Sequence, residues 1–157
     1  MGGANASLWL HVVTMQEKKS YRDSLPLKAR ERYEKKLKLV GLQECPYALA
    51  DAAWEDDMTK WPGVEFPDIV MYMYLIGTPG EYTREKLKAY KSLDAYNYFT
   101  SGWVGTCFIH EINKEFSVLK TIVKPSQRLS NPPHRPWVAV KRKDGSICTS
   151  LCTCMAG

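Results

Sequence analysis

The sequence predicts an α+β fold in which N-terminal helices pack on a small C-terminal antiparallel sheet of about four strands. Two long stretches, 25–41 and 83–102, place apolar residues at three- and four-residue steps, the period of a helix with one buried face. After Gly102 the composition shifts to short runs rich in β-branched and aromatic residues, broken by turn-forming residues. At 157 residues the chain has the size of one domain, and 45% apolar content suits a packed core rather than a disordered chain.

Residues 1–24 open with glycine, alanine, asparagine and serine, show no sustained period and end in the polar stretch Gln16 to Ser24, so they read as a flexible leader. From Leu25 onward Pro26 holds a helix-start position, Ala29, Tyr33, Leu37 and Val40 recur on one face, and Gly41 supplies the stop. Residues 43–65 mix Pro, Gly, acids and two tryptophans and read as a loop with at most a short helical turn around Tyr47 to Ala53. Trp54 and Trp61 are expected to pin this loop to the helices rather than to build a ligand cage. In the run from Ile69 to Gly77, Ile69, Tyr72, Met73 and Ile76 fall at helical spacing, although the run also suits a buried strand. Thr78-Pro79-Gly80 is a turn; Thr83 then caps a helix whose Leu87, Tyr90, Leu93, Tyr96 and Phe99 share a face until Gly102. Four strands follow, over 103–112, 115–126, 135–144 and 146–154, divided by Asn113-Lys114, Asn131-Pro132-Pro133 and Asp144-Gly145. The first and last connections are short enough to make antiparallel hairpins. Trp103 and Trp137 follow the rhythm of core residues and are expected beneath the second helix.

The net charge of +5 is unevenly spread. Residues 16–43 hold nine basic and four acidic groups, 44–80 one and seven, 81–113 four and four, and 114–157 eight and two. Such alternation offers electropositive surface to a polyanion and an acidic loop to a protein partner. Lys124, Arg128, Arg135, Lys141, Arg142 and Lys143, with Lys120, cluster around the strands and are the candidate nucleic-acid contacts, while the same side chains also suit an ordinary solvated surface. No apolar run approaches the ~20 residues that cross a bilayer. Ser7 to Met15 lacks the basic flank and cleavage site of a secretory signal. No membrane association is expected, and an intracellular location, nucleus or cytoplasm, is.

Five cysteines, at 45, 107, 148, 152 and 154, are an odd number and argue against a complete disulfide framework. In an extended strand Cys152 and Cys154 project to one side, with Cys148 in the same parity. Two thiolates so placed can grip a soft divalent ion, yet zinc takes four ligands, and the same residues also read as small apolar members of a sheet. His134 and Cys148 are the stand-ins if a site closes within this chain; His11 and His110 read as surface or satisfied residues.

The terminal Cys152-Thr153-Cys154-Met155-Ala156-Gly157 resembles the opening half of a SWIM-type zinc finger, whose pattern is C-x-C, a variable gap and C-x-H. Upstream, Leu25-Pro26 with Ala29-Arg30 and Arg32-Tyr33, then Tyr90 to Asn97, Ser101 to Val104, Ser126 to Leu129, Pro136 to Val138 and Lys143 to Ser146 are similar to a group of animal proteins that carry such a finger. In that group the finger is often followed by a YqaJ-like viral recombinase domain. The resemblance covers about residues 25–157 and implies a single α+β domain ending in the first half of the finger, with Cys152 and Cys154 as zinc ligands. It places the remaining Cys-x-His pair beyond Gly157, so a chain ending there is expected to hold little stable zinc. The nuclease chemistry of such proteins would also lie downstream.

Catalysis within this chain is not expected. A metal-dependent nuclease needs clustered carboxylates and a lysine on adjoining strands, whereas Glu17/Lys19 and Glu34/Lys36 fall in the leader and on a basic helix face. No spacing brings His110 or His134 to Cys107 or Cys148 as a base, and Gly77-Thr78-Pro79-Gly80 lacks the Lys-Ser/Thr ending of a phosphate loop. The expected function is a noncatalytic, zinc-finger-associated module that binds nucleic acid or a protein partner. Two alternatives stand beside it: a metal-free interaction domain using the acidic loop 44–68, and the N-terminal part of a nuclease or transposon-derived enzyme.

Overall fold

The computed structural model describes residues 20–65, 68–69, 72, 100–125 and 128–154. Its elements run α1 (Tyr21–Ser24), α2 (Leu27–Leu39), two 3-10 turns at Asp51–Ala53 and Met58–Lys60, then β1 (Phe108–Glu111), β2 (Phe116–Lys120), β3 (Trp137–Lys141) and β4 (Ile147–Leu151). The expected α+β class is the observed one. The strands form one antiparallel meander in the order β1-β2-β3-β4, so β2 and β3 pair in addition to the two hairpins.

The α2 helix buries the face that its spacing marks: Tyr33, Leu37 and Val40 are enclosed. It ends where Gly41 takes φ +75°, with Gly41 N–H donating to the Lys38 carbonyl (3.1 Å) and Leu42 N–H to that of Leu37 (3.0 Å). This pair of bonds is a Schellman motif, and glycine suits its left-handed residue. Composition placed residues 20–24 in the leader, but Tyr21–Ser24 form a helical turn capped by Ser20, and Tyr21 packs edge-on against Tyr33 and Tyr47. Aromatic packing, which has no period in a four-residue stretch, draws that turn onto the domain.

One sheet face meets α2. Phe116, Val118, Trp137 and Ala139 form a single cluster with Tyr33, Leu37, Val40, Leu42, Cys45 and Trp54. Ile109, Leu119 and Val140 make a second cluster on the opposite face, with Trp61, Cys107, Val138 and Ile147 against it. Trp137 packs beneath α2, the first of the two long helices the sequence predicts, its ring meeting Tyr33 at 6.3 Å; the second, beneath which it was expected, lies mostly outside the described residues. Tyr72, helical like Asp68 and Ile69, reaches the hydroxyl of Ser150 at 2.8 Å. The rest of the run 69–76 and the body of the helix expected over 83–102 lie outside the described residues. At the end of the latter Thr100 is helical and Gly102 takes φ +72°. No helix among the described residues is long and apolar enough to cross a membrane.

Side chain to backbone bonds set the turns. Asn113 Oδ1 accepts from the N–H groups of Glu115 and Phe116 (both 2.9 Å), while its Nδ2 donates to the Val40 carbonyl, tying the first hairpin to the end of α2. Asp144 Oδ1 accepts from Ser146 N–H and hydroxyl, and Gly145 turns at φ +78°. A methyl group at 145 would also strike the Gly63 backbone, so the acidic loop is pressed against this hairpin tip. Farther along, Glu55 and Ile109 exchange both backbone bonds (2.8 and 2.9 Å), and the loop thereby covers the outer edge of β1.

Candidate functional site

The meander has two ends. Asn113 and Asp144 turn the hairpins at one, and Phe108, Lys120, Trp137 and Leu151 stand in register at the other. The loop 45–54 folds over this second end. A turn closed by Ala48 N–H to the Cys45 carbonyl (2.8 Å) presents Tyr47, and the 3-10 turn Asp51–Ala53 delivers Trp54 with its N–H on the Asp51 carbonyl (3.1 Å). Asp51 stays exposed at the start of the turn, while Trp54, in extended backbone at its end, is buried.

Between loop and sheet lies a cleft of ≈ 470 Å³ lined by Tyr47, Leu49, Asp51, Thr106, Phe108, Lys120, Thr121, Ile122 and Arg135. Lys120 Nζ sits 4.0 Å over the Trp54 ring and Arg135 Cζ 4.8 Å over that of Tyr47. The π faces hold both cations in place, with Arg135 exposed and Lys120 half-buried. None of the ion pairs among the described residues involves Lys120, Arg135 or Asp51. Burial pulls the Lys120 ammonium below the usual lysine value; nearby Asp51 opposes this and Arg135 adds to it, so the three charges feel one another. Burial likewise holds the Tyr47 phenol well above the ordinary tyrosine value, which keeps it a donor, and its hydroxyl donates to the Arg135 carbonyl at 2.5 Å.

The cysteine pair lies beside this cleft, but not in the strand. β4 stops at Leu151, and Cys152 to Cys154 form a bend. In the bend Cys154 N–H donates to Cys152 Sγ at 3.3 Å, and the two thiols interact. Burial pushes the Cys152 thiol up, the Cys154 thiol adds to that, and the N–H groups of Cys154 and Thr153 favour the thiolate. Between the cysteines, Thr153 Oγ1 accepts from Arg135 N–H at 2.9 Å, which ties the bend to a residue of the cleft.

The shared strand parity with Cys148 fails. A register shift at Ala139/Val140 pairs Val140 with Ile147 but Ala139 with Thr149, which leaves Cys148 as the extra residue of a bulge. Its thiol feels Lys141 and Glu115, at the hairpin-tip end, far along β4 from Cys152. Cys45 is turned toward the Tyr33 hydroxyl (2.8 Å), and His134 is bridged through its backbone to Val123. Among the described residues no three His, Cys, Asp or Glu side chains converge on one point. Cys152 and Cys154 thus offer two donors, half of a tetrahedral zinc shell.

The six basic candidates do not form one patch. Arg135 lines the cleft, with Lys124 and Arg128 exposed on the connection leading to it. Arg142 and Lys143 lie with Lys60 and Lys114 around a separate open depression of ≈ 490 Å³ at the hairpin tips, after the half-buried Lys141. There Arg142 pairs with Glu111 (2.9 Å) and Lys60 with Glu55, which lessens the local positive field. Trp54 joins the cluster under α2, as expected of a residue pinning the loop to a helix, whereas Trp61 packs on the cluster of the opposite sheet face, away from that helix. Tyr47 and Asp51 were not separable from ordinary loop residues in the sequence, and Lys120 was one of seven basic residues around the strands; only the strand register and the 3-10 turn bring the three together. Comparison with protein-family models, curated proteins and solved structures finds no match to this chain.

Proposed function

We propose that this chain is a noncatalytic nucleic-acid-binding module, of the zinc-finger-associated kind, that receives phosphate groups at the loop-covered end of its sheet. The carrying observation is that Lys120 and Arg135, each laid over an aromatic ring, line one cleft with an apolar wall of Leu49, Phe108 and Ile122. Cations held in this way meet phosphate with little further ordering, and the apolar wall suits an unstacked base. Exposed Lys124 and Arg128 extend the positive surface along the connection that follows β2.

The thiol bend supports the same reading as an anchor. Thr153 holds the backbone of Arg135 from one side and the Tyr47 hydroxyl from the other. Zinc, where two further donors complete its shell, supplies a structural cross-link at Cys152 and Cys154. His110 and the far part of the acidic loop are engaged in local bonds instead: His110 Nδ1–H donates to the Ala53 carbonyl at 2.8 Å, and Asp57 accepts from Thr59. A salt series of binding to short single-stranded and duplex DNA and RNA tests the proposal. Steep loss of affinity with rising salt is expected. No binding even at low salt overturns it.

A further inference from the structure

A cleft built only for phosphate has no use for a carboxylate. Asp51 nevertheless lines the same cavity as Lys120 and Arg135, exposed, close enough to influence the lysine and not ion-paired with it. An anionic ligand is repelled at that point unless it presents hydrogen-bond donors there. The ligand therefore needs three parts: an anion for the two cations, a flat apolar body for Leu49, Phe108 and Ile122, and donors for Asp51. Nucleotides have all three, and the bases differ in the third. Thymine or uracil offers one N–H on its pairing edge, cytosine and adenine one amino group, and guanine two parallel donors, N1–H and N2–H, that match both oxygens of a carboxylate.

We infer that the cleft takes a single unstacked guanine nucleotide, Asp51 accepting from the base while Lys120 and Arg135 hold its phosphate. This rests on the nucleic-acid reading above and adds base selection to it. The volume of ≈ 470 Å³ falls within the range of ligand clefts, about 300–1,000 Å³. Its opening between loop and sheet admits a base from a single strand, whereas a paired base has its donor edge occupied. Asp51 stands at the start of a 3-10 turn fixed by backbone bonds from Ala53 and Trp54, so its carboxylate is carried on a defined piece of backbone.

The test compares an all-thymine single strand with the same strand carrying one central guanine. The guanine strand is expected to bind roughly tenfold more tightly, the size of one bidentate base contact. Free GMP is expected to displace it at concentrations where TMP does not. Asp51→Asn, a change at an exposed position, is expected to bring the ratio between the two strands to about one. Equal binding of both strands by the unaltered protein overturns base selection and leaves the phosphate reading standing. Failure of both strands to bind at low salt overturns both. A tenfold preference that survives in Asp51→Asn overturns the role given to Asp51.

Discussion

Removing the cleft cations one at a time should change the salt dependence of binding, and not only its strength. Lys120→Met keeps an unbranched stem over Trp54, and Arg135→Gln keeps the backbone bonds to Tyr47 and Thr153, because both use main-chain atoms of residue 135. A partly exposed cation–π contact contributes about 0.5–1 kcal/mol. Its loss in a domain of 157 residues lowers the melting temperature by a few degrees at most, so both variants remain folded at assay temperature. On a single strand each phosphate contact contributes about 0.7 to the slope of log K against log salt. Each variant should therefore flatten the slope by about 0.7 and the double variant by about 1.4, with affinity near 0.1 M salt lower by roughly fivefold and twenty-five-fold. Fluorescence anisotropy between about 50 and about 200 mM salt measures both quantities on one labelled strand. A double variant whose line runs parallel to that of the unaltered protein, merely displaced, would show that the cations shape the cleft without touching phosphate. The proposal would then be wrong in its mechanism.

Other parts of the structure make further predictions. Gly145→Ala meets both a left-handed φ of +78° and the Gly63 backbone, and should cost about 1–3 kcal/mol in urea unfolding. Tyr33→Phe removes the hydroxyl that meets the Cys45 thiol at 2.8 Å and should lower stability by about 1 kcal/mol, read from the denaturant midpoint. Because burial depresses the Lys120 pKa, the folded chain binds fewer protons than the unfolded one between the depressed and ordinary values. Stability should therefore rise with pH across that window, and Lys120→Met should remove this rise from the melting temperature profile. With two described donors, zinc uptake by this 157-residue chain should be weak against a competing chelator; tight stoichiometric uptake would mean that other residues complete the shell.

How much of this was legible in the sequence depended on the range of the interactions involved. The α2 face is periodic, and Tyr33, Leu37 and Val40 are buried where their spacing puts them, with Gly41 at the stop. The hairpins follow from Asn113 and Asp144-Gly145, residues whose side chains or backbone freedom make turns locally. Strand lengths were overread, because 103–112 and 115–126 contain residues such as Val104 and Val123 that make only isolated bridges beyond the ladders. The parity of Cys148 failed for a different reason: a bulge depends on how β3 and β4 match, and neither strand alone records it. The cleft was the least legible. Tyr47, Asp51, Lys120 and Arg135 span 88 residues of separation in the Tyr47–Arg135 bond alone, and no spacing rule links them.

That separation also explains why the basic residues had to be sorted by the fold. β3 runs from Trp137 to Lys141, so Arg135 leaves one end of the sheet and Arg142 the other, although seven positions separate them in sequence. At the hairpin tips the acids Glu111 and Glu55 take up Arg142 and Lys60. At the loop-covered end the partners of Lys120 and Arg135 are rings, which steady a cation without neutralising it. A phosphate is attracted by the charge that remains uncompensated, so an equal number of cations at the two ends does not make them equal binding surfaces. The cysteine bend is joined to this less compensated end through Thr153 and Arg135. Ordering of the bend therefore bears on the position of Arg135, one of the two cations that line the cleft.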